Sequence, residues 1–240
     1  TENRVLLAAL RALLADSSIE ATTRAQLRAL LPSFEQVSML SVGDALRAPV
    51  KAPRENRHYI AALPLAQLAL AAIVSERRGG RTQLPEWARD EARMASIFEG
   101  FVRGAAAYYL GSAARVSAKQ LRFNVSAQDA AMEALVPIMK TDVFIEREGA
   151  ARILECKYYQ SPLALSHRSE AARLRNDHLY QLLTYLRIAA RDGRPVSGAL
   201  VYARVDQDFG ATLTLEGFDV EVHCVDLGQS WAALRETVLR

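Results

Sequence analysis

Cysteine is scarce: Cys156 and Cys224 are the only two in 240 residues. They can build no disulfide framework and match no zinc-ligand spacing, so a reducing compartment, the cytoplasm, is the expected setting. The histidines His58, His167, His178 and His223 lack the mutual spacing of a zinc site. No uncharged apolar run reaches the roughly eighteen residues of a membrane span. The best candidate, Tyr59 to Val74, is interrupted by Pro64 and Gln67. No signal-peptide pattern is recognisable. No Gly-Lys-Ser/Thr follows Gly79-Gly80, which excludes a P-loop and, with it, nucleotide hydrolysis by this chain. The absence of Gly-x-Ser-x-Gly excludes a serine-hydrolase elbow. Internal repeats and low-complexity blocks are also missing.

What is present is ordinary for a globular protein. Half the residues are apolar and 24% are charged, enough of each for one large domain or a domain with an appendage. A net charge of +3 is compatible with nucleic acid without pointing to it. Arg168, Arg173, Arg175, Arg187, Arg191 and Arg194 crowd one stretch. Guanidinium forks suit phosphates, and a solvated helix face explains the same residues.

Residues 1–84 read as a helical region. Val5, Leu6, Leu7, Leu10, Leu13 and Leu14 form an apolar stripe at helical spacing, ended by Asp16-Ser17-Ser18. Thr22 or Thr23 is expected to cap a second helix, stopped by Pro32. Ser41 to Asn56 reads as a loop. A third helix spans Tyr59 to Arg78, with Pro64 tolerated in its first turns. A core over 85–210 follows. It opens with a helix from about Pro85 to Leu110, continues with a strand Leu121 to Ser126, and then has two apolar runs. Ser161 to Arg175 reads as a loop or lid. A helix capped by Asn176 or Asp177 runs to Ala190, and a buried strand covers Val196 to Val205. Residues 211–240 add one or two strands and a short helix from about Gln229.

The two apolar runs carry the chemistry. Asp142-Val143-Phe144-Ile145 and Ala151 to Tyr159 are joined by Glu146-Arg147-Glu148-Gly149, the pattern of a β-hairpin. Side chains alternate along a strand, so Glu155 and Lys157 share one face while Cys156 joins Leu154 and Tyr158 on the other. A hairpin can bring Asp142 beside that pair. Two carboxylates and an ammonium among aliphatic residues need pairing or a metal. Hard oxygen ligands suit Mg²⁺, and the lysine can orient water or stabilise charge developing on phosphorus. Taken alone, the hairpin is equally an exposed, salt-bridged sheet face. Glu99, in Ile97-Phe98-Glu99-Gly100-Phe101, is either an exposed helix position or a further metal or water ligand facing the hairpin from below. In the later helix, Gln181 and Tyr185 lie four apart and project together.

Asp142, Glu155 and Lys157, followed by Gln181-x-x-x-Tyr185, resemble the RecB-like branch of the PD-(D/E)xK nucleases. Thr141 stands where the motif usually has proline. Further pieces extend the likeness over nearly the whole chain: Asn56-Arg57-His58-Tyr59, Ile97 to Val102, Thr141 to Ile145, Leu154 to Tyr158, Asn176 to Tyr185 and Leu200-Val201-Tyr202. Together they resemble the McrC family, the nuclease subunits of McrBC modification-dependent restriction systems.

The resemblance implies an α/β fold: a restriction-endonuclease-like αβββαβ core with a mixed sheet flanked by helices, preceded by an α-helical region. It implies a Mg²⁺-dependent DNA endonuclease, with Mn²⁺ substituting, that acts on double-stranded DNA with an McrB-like AAA+ GTPase hexamer. Dimerisation for double-strand cleavage is compatible with it. Asp142, Glu155 and the Cys156 carbonyl would ligate the metal, with Glu99 as an additional candidate. Lys157 would position the attacking water, and Gln181 and Tyr185 would orient the scissile phosphate. No counterpart of the family's GTPase-docking region is recognisable ahead of Thr1, so a fragment or a shorter relative is expected. A RecB-like exonuclease and a non-catalytic DNA-binding scaffold are the competing readings.

Overall fold

The computed structural model describes residues 2–49, 59–77, 90–125, 134–158, 163–166, 169–203 and 209–227, together with positions 229, 234 and 236. The expected boundary near 84, the start at Pro85, residues 56–58, Gly79-Gly80, His167 and Arg168 lie outside the described residues. Most of the expected C-terminal helix does too. The chain divides into two compact units, residues 1–97 and 98–240. Among the described residues no helix is long and apolar enough to cross a membrane.

The first unit is helical. It contains α1 (Glu2–Leu14), α2 (Ala21–Leu30), a 3-10 turn (Leu31–Phe34), α3 (Val42–Arg47) and α4 (Tyr59–Arg77). Of the α1 stripe, Val5, Leu7 and Leu10 are buried while Leu6, Leu13 and Leu14 are half-buried; Val5, with Ala8 and Ala9, meets Ala45 of α3 and Leu63, Ala66 and Leu70 of α4. Three expectations are corrected. The segment after Ser41 is not all loop, because α3 forms there. The Ser41 hydroxyl accepts the Asp44 N–H at 3.1 Å, a side-chain cap that satisfies one of the helix's orphan donors. Thr22 and Thr23 cap nothing; they lie inside α2, which follows Glu20 and has no side-chain cap. Pro32 does not stop the chain's helical path at once, since it fits the first turn of the 3-10 segment. At the other end of α3, buried Gln67 donates from Nε2 to the carbonyls of Ala45, Leu46 and Ala48, at 2.9, 3.3 and 2.9 Å. These are the carbonyls a helix C-terminus leaves without intrahelical partners.

The second unit is built on a six-stranded sheet. Its elements begin within α5 (Glu91–Leu110), which Asp90 caps by accepting the Arg93 N–H at 3.2 Å. Then come β1 (Arg115–Ser117), β2 (Gln120–Leu121), β3 (Met139–Lys140), β4 (Val143–Arg147), β5 (Ala150–Lys157), β6 (Leu163–Ser166) and β7 (Ser169–Leu174). α6 (Asn176–Ala189), β8 (Val196–Ala203), β9 (Gly210–Leu215) and β10 (Phe218–Val225) complete it. The sheet order is β1-β4-β5-β8-β10-β9, with β8 parallel to both β5 and β10 and the other pairs antiparallel. Counting α5, β1, β4, β5, α6 and β8 recovers the expected αβββαβ order.

The β4–β5 and β9–β10 hairpins each turn on a Glu-Gly pair. Glu148 and Gly149 have φ of 51° and 81°, and Glu216 and Gly217 have 53° and 84°. Positive φ at both turn residues defines a type I′ turn, whose twist matches that of the strands it joins. Alternation then sorts the strands' apolar residues onto two faces. Val143, Ile145, Leu154, Cys156, Ala199 and Val201 pack with Phe98, Val102 and Ala105 of α5. Phe144, Ile153, Leu200 and Tyr202 pack with Leu182, Tyr185 and Leu186 of α6. α6 lies close on β8: a Cβ added at Gly198 would fall 3.0 Å from Leu182 Cδ1.

Three further expectations change. The strand expected at Leu121 to Ser126 is instead β1, with Arg115, Val116 and Ser117 facing Glu146, Ile145 and Phe144. Only Gln120 and Leu121 pair nearby, with Lys140 and Met139 in a separate ribbon. Three residues with one aliphatic side chain give too short a period to read. The expected loop at 161–175 contains a β6–β7 hairpin with an irregularity at Leu165/Ser166. Asn176 and Asp177 do not cap α6 but form its first turn; Arg175 takes the N-cap position and makes no side-chain capping bond. There Asp177 places negative charge where the helix dipole favours it.

Candidate active site

The strand alternation delivers Glu155 and Lys157 to the α6 side of the sheet. Lys157 Nζ donates to Glu155 Oε1 at 2.8 Å, and the two side chains are 11% and 2% exposed. A carboxylate and an ammonium so nearly excluded from water are not a solvated sheet face.

Asp142 stands at the bend before β4. The β4–β5 pairing ends at Val143 opposite Leu154, which leaves the remaining edge of β5 to Asp142. Its Oδ2 accepts the Cys156 N–H at 2.8 Å. Within a strand the N–H and C=O of one residue face the same neighbour, so the Cys156 carbonyl is directed to that edge as well. Thr141 shows what stands in for the usual proline. Its N–H donates to the Lys119 carbonyl at 3.0 Å, and its hydroxyl accepts the Lys119 N–H at 3.0 Å. With its side chain 1% exposed, this double tie fixes the backbone leading into Asp142 as a rigid ring would.

From α6, Gln181 and Tyr185 arrive together. Lys157 Nζ donates to Gln181 Oε1 at 2.9 Å, Gln181 Nε2 donates to the Tyr185 hydroxyl at 2.9 Å, and that hydroxyl donates to the Lys140 carbonyl at 3.2 Å. The chain of bonds runs from the lysine on β5 to the strand end that carries Asp142. From α5, Arg103 Nη1 donates to the Asp142 carbonyl at 2.6 Å. Glu99, one turn earlier on α5, is half-buried and within electrostatic reach of Asp142.

The electrostatics are those of crowded acids. Burial, then the charge of Asp142, pushes the Glu155 carboxyl up to about 7, against the pull of its ion pair with Lys157. Burial raises Asp142 against the Cys156 N–H, Lys157 and Arg103. Burial and Asp142 likewise raise Glu99. The Cys156 thiol is pushed well up by burial and is no nucleophile.

Lys157, Arg103 and Lys140 stand near these acids without bringing them down to ordinary carboxylate values. Glu155 Oε2 is buried without a hydrogen-bond partner among the described residues, an acceptor suited to a cation. Asp142, Glu155 and the Cys156 carbonyl therefore fit a hard divalent ion that takes one or two carboxylates and completes its shell with water or phosphate oxygen. Among the described residues no three His, Cys, Asp or Glu side chains form a group able to hold a metal. Glu99 thus adds negative charge that pushes the Glu155 carboxyl further up, without closing a three-acid cage.

Some sequence candidates do not converge. The arginines after β5 spread to separate partners. Arg187 pairs with Glu216 at 2.8 Å, Arg191 donates to the Arg122 carbonyl at 3.1 Å, and Arg194 holds Asp192 at 2.7 Å. Those three, among the described residues, are thus engaged with different partners. Conversely, the structure adds Arg103 and Lys119 to the surroundings of the acids, with the buried His178–Tyr202 pair nearby, none of them marked by a sequence motif. Arg103 lies one turn after Glu99, the only sequence signal that could have placed it.

A protein-family model described as "McrBC 5-methylcytosine restriction system component" matches residues 1–203. The chain is 24% identical over 238 residues to the type IV methyl-directed restriction enzyme EcoKMcrBC of Escherichia coli (strain K12), covering 99% of this chain and 68% of that protein. It also aligns over 99% of its length with a chain of a half-complex from a tetradecameric assembly of Thermococcus gammatolerans McrB AAA+ hexamers with bound McrC. There the identity is 16% and the TM-score 0.36, and this chain spans about half (51%) of the other's length. A likeness that loose supports no structural argument; the family match over most of the chain does not depend on it. On that match, the chain belongs to the family of McrBC 5-methylcytosine restriction system components.

Proposed function

We propose that this chain is a metal-dependent endodeoxyribonuclease that cuts double-stranded DNA as part of an McrBC-type restriction system in the cytoplasm. The observation that carries the reading is the Asp142–Glu155–Lys157 cluster: half-buried Asp142 on the Cys156 N–H, and buried Glu155 with one oxygen unsatisfied and the other bonded to the Lys157 ammonium. Family membership supports action with a second component, here an McrB-like AAA+ GTPase hexamer. The Escherichia coli relative is by name a methyl-directed restriction enzyme, which supports modified DNA as substrate. The site residues named above serve metal, water and phosphate, so the choice of site falls to the partner or to assembly, including dimerisation for double-strand cuts.

Asp142, Glu155 and the Cys156 carbonyl would hold Mg²⁺ or Mn²⁺, which when bound would supply polarisation of the scissile phosphate and a more acidic water. Lys157, held by Glu155 and Gln181, directs its ammonium at the attacking water and offsets charge gathering on the phosphate oxygens. The new phosphorus–oxygen bond forms as the bond to the leaving sugar oxygen breaks. Gln181 has both ends of its amide engaged and acts by orienting Lys157, with Tyr185 bracing it against the Lys140 carbonyl. Arg103 keeps the Asp142 backbone in place. These roles for Gln181 and Tyr185 differ from direct contact with the scissile phosphate.

The test is cleavage of a supercoiled plasmid carrying 5-methylcytosine, with Mg²⁺, GTP and the partner GTPase supplied. Nicking and linearisation are expected, and Lys157→Ala should slow them by roughly 10²-fold or more. Cutting by Lys157→Ala at the wild-type rate would refute the assignment. Degradation confined to linear DNA, with circles untouched, would replace it with an end-dependent exonuclease.

A further inference from the structure

The pair His178 and Tyr202 remains outside the mechanism so far. Both side chains are buried, 2% and 0% exposed, and His178 Nδ1 lies 2.8 Å from the Tyr202 hydroxyl. Tyr202 belongs to the apolar cluster on the α6 side of the sheet, the side that also carries Glu155 and Lys157. A buried polar pair gives little net stability over apolar residues of the same shape, so packing alone does not call for it.

Its neighbours suggest a reason. Tyr202 on β8 is the register partner of Lys157 on β5, and register partners in adjacent strands project to the same side of the sheet. His178 and Gln181 are three apart on α6, neighbouring positions of one helix face. Lys157 is therefore flanked by Gln181 from α6 and by Tyr202 from β8, and His178 fixes the tyrosine. The Phe209 ring, 5.5 Å from that of Tyr202 and tilted, backs it. Burial, then the Lys157 charge, holds the His178 imidazole down to about 4. The histidine is neutral at physiological pH and does not compete with Lys157 for the acids.

We propose that His178 and Tyr202 are positioning residues for Lys157: the histidine-anchored tyrosine ring walls the β8 side of the lysine stem and confines its ammonium to Glu155 and Gln181. The pair acts through Lys157 and touches neither metal nor DNA. The activity arm of its test rests on the nuclease reading; a second arm does not.

The variants are Tyr202→Phe, which keeps the ring and removes the hydroxyl; His178→Leu, which removes the anchor; and His178→Asn, whose side-chain oxygen can replace Nδ1. With the partner GTPase and Mg²⁺, Tyr202→Phe and His178→Leu should lower kcat on modified plasmid by about tenfold, since small misplacements of a working group are costly. KM should change by less than about twofold. His178→Asn should recover most of the loss, and the double variant Tyr202→Phe/His178→Leu should be no worse than the poorer single.

In the metal-free protein carrying ¹³Cε-lysine, the Lys157 resonance, assigned through Lys157→Arg, should move in both loss variants and return towards wild type in His178→Asn. A folded Tyr202→Phe protein with unchanged kcat and an unmoved Lys157 resonance would overturn the proposal. Should the wild type prove inactive on DNA, the nuclease reading falls and the resonance alone decides.

Discussion

The raised pKa of the Glu155 carboxyl ties stability to pH and to metal. Its carboxyl titrates near 7 in the folded chain and at 4.5 in a free side chain. A group whose folded value is raised gives stability that is fully present below the unfolded value and is lost as pH climbs through the folded one. Between pH 4.5 and 7 the folded chain keeps a proton that the unfolded chain has released, so stability falls across that window. At 1.36 kcal/mol per unit, the loss is on the order of 3 kcal/mol. Asp142 and Glu99 are shifted in the same direction. For a chain of this size that corresponds to roughly 6–12 °C in Tm.

Mg²⁺ should reverse the loss, because it binds the deprotonated acids: at a hundredfold excess over Kd, binding returns about 2.7 kcal/mol. The assay is thermal unfolding at pH 5.5 and 8, with EDTA or Mg²⁺. Wild type should lose Tm at pH 8 in EDTA and regain it with Mg²⁺, with little effect of Mg²⁺ at pH 5.5. Glu155→Gln, which removes the titrating group at nearly constant volume, should flatten the EDTA profile and abolish the Mg²⁺ response. A Tm that does not fall from pH 5.5 to 8 in EDTA, or a Mg²⁺ shift equal at both pH values, would refute the account of a buried, metal-seeking acid.

Other consequences can be checked alongside the loss of cutting expected for Lys157→Ala. Tyr185→Phe removes the hydroxyl that joins Gln181 to the Lys140 carbonyl; kcat should drop by about tenfold with the Mg²⁺ midpoint unchanged, as single-turnover cleavage at varied Mg²⁺ would reveal. Gln67→Leu keeps bulk but leaves the carbonyls at the end of α3 without their donor. It should destabilise the chain by roughly 1–3 kcal/mol, read by urea denaturation, while Mg²⁺ affinity stays the same.

What could be read from the sequence was whatever repeats at short range. Period-two alternation put Glu155 and Lys157 on one face, and helical spacing put Gln181 beside Tyr185, where the structure bonds them at 2.9 Å. Six-strand connectivity beyond the hairpin was less legible. β1 has three residues and one aliphatic side chain, so nothing in its pattern separates it from a loop. α3 was hidden by nearby prolines at 49 and 53, and its C-terminal donor is Gln67, some twenty residues later. Burial itself was out of reach. Whether Glu155 is a solvated acid or one pushed to about 7 depends on α6 and Asp142 arriving from elsewhere in the chain. The same holds for His178: its sequence argued only against zinc, and its partner Tyr202 is twenty-four positions away.

Gly198 lies under Leu182 and Leu186, the same helix that presents His178, Gln181 and Tyr185. The spacing between α6 and the sheet is therefore set by the lack of one methyl group on β8. Gly198→Ala would force those leucines to give way by a few tenths of an ångström, or else lift the whole helix, and Gln181 with it, off Lys157. A substitution remote from the acids could in this way detune cleavage while leaving the ion's ligands untouched, and selection on this position would act through a clearance rather than a contact.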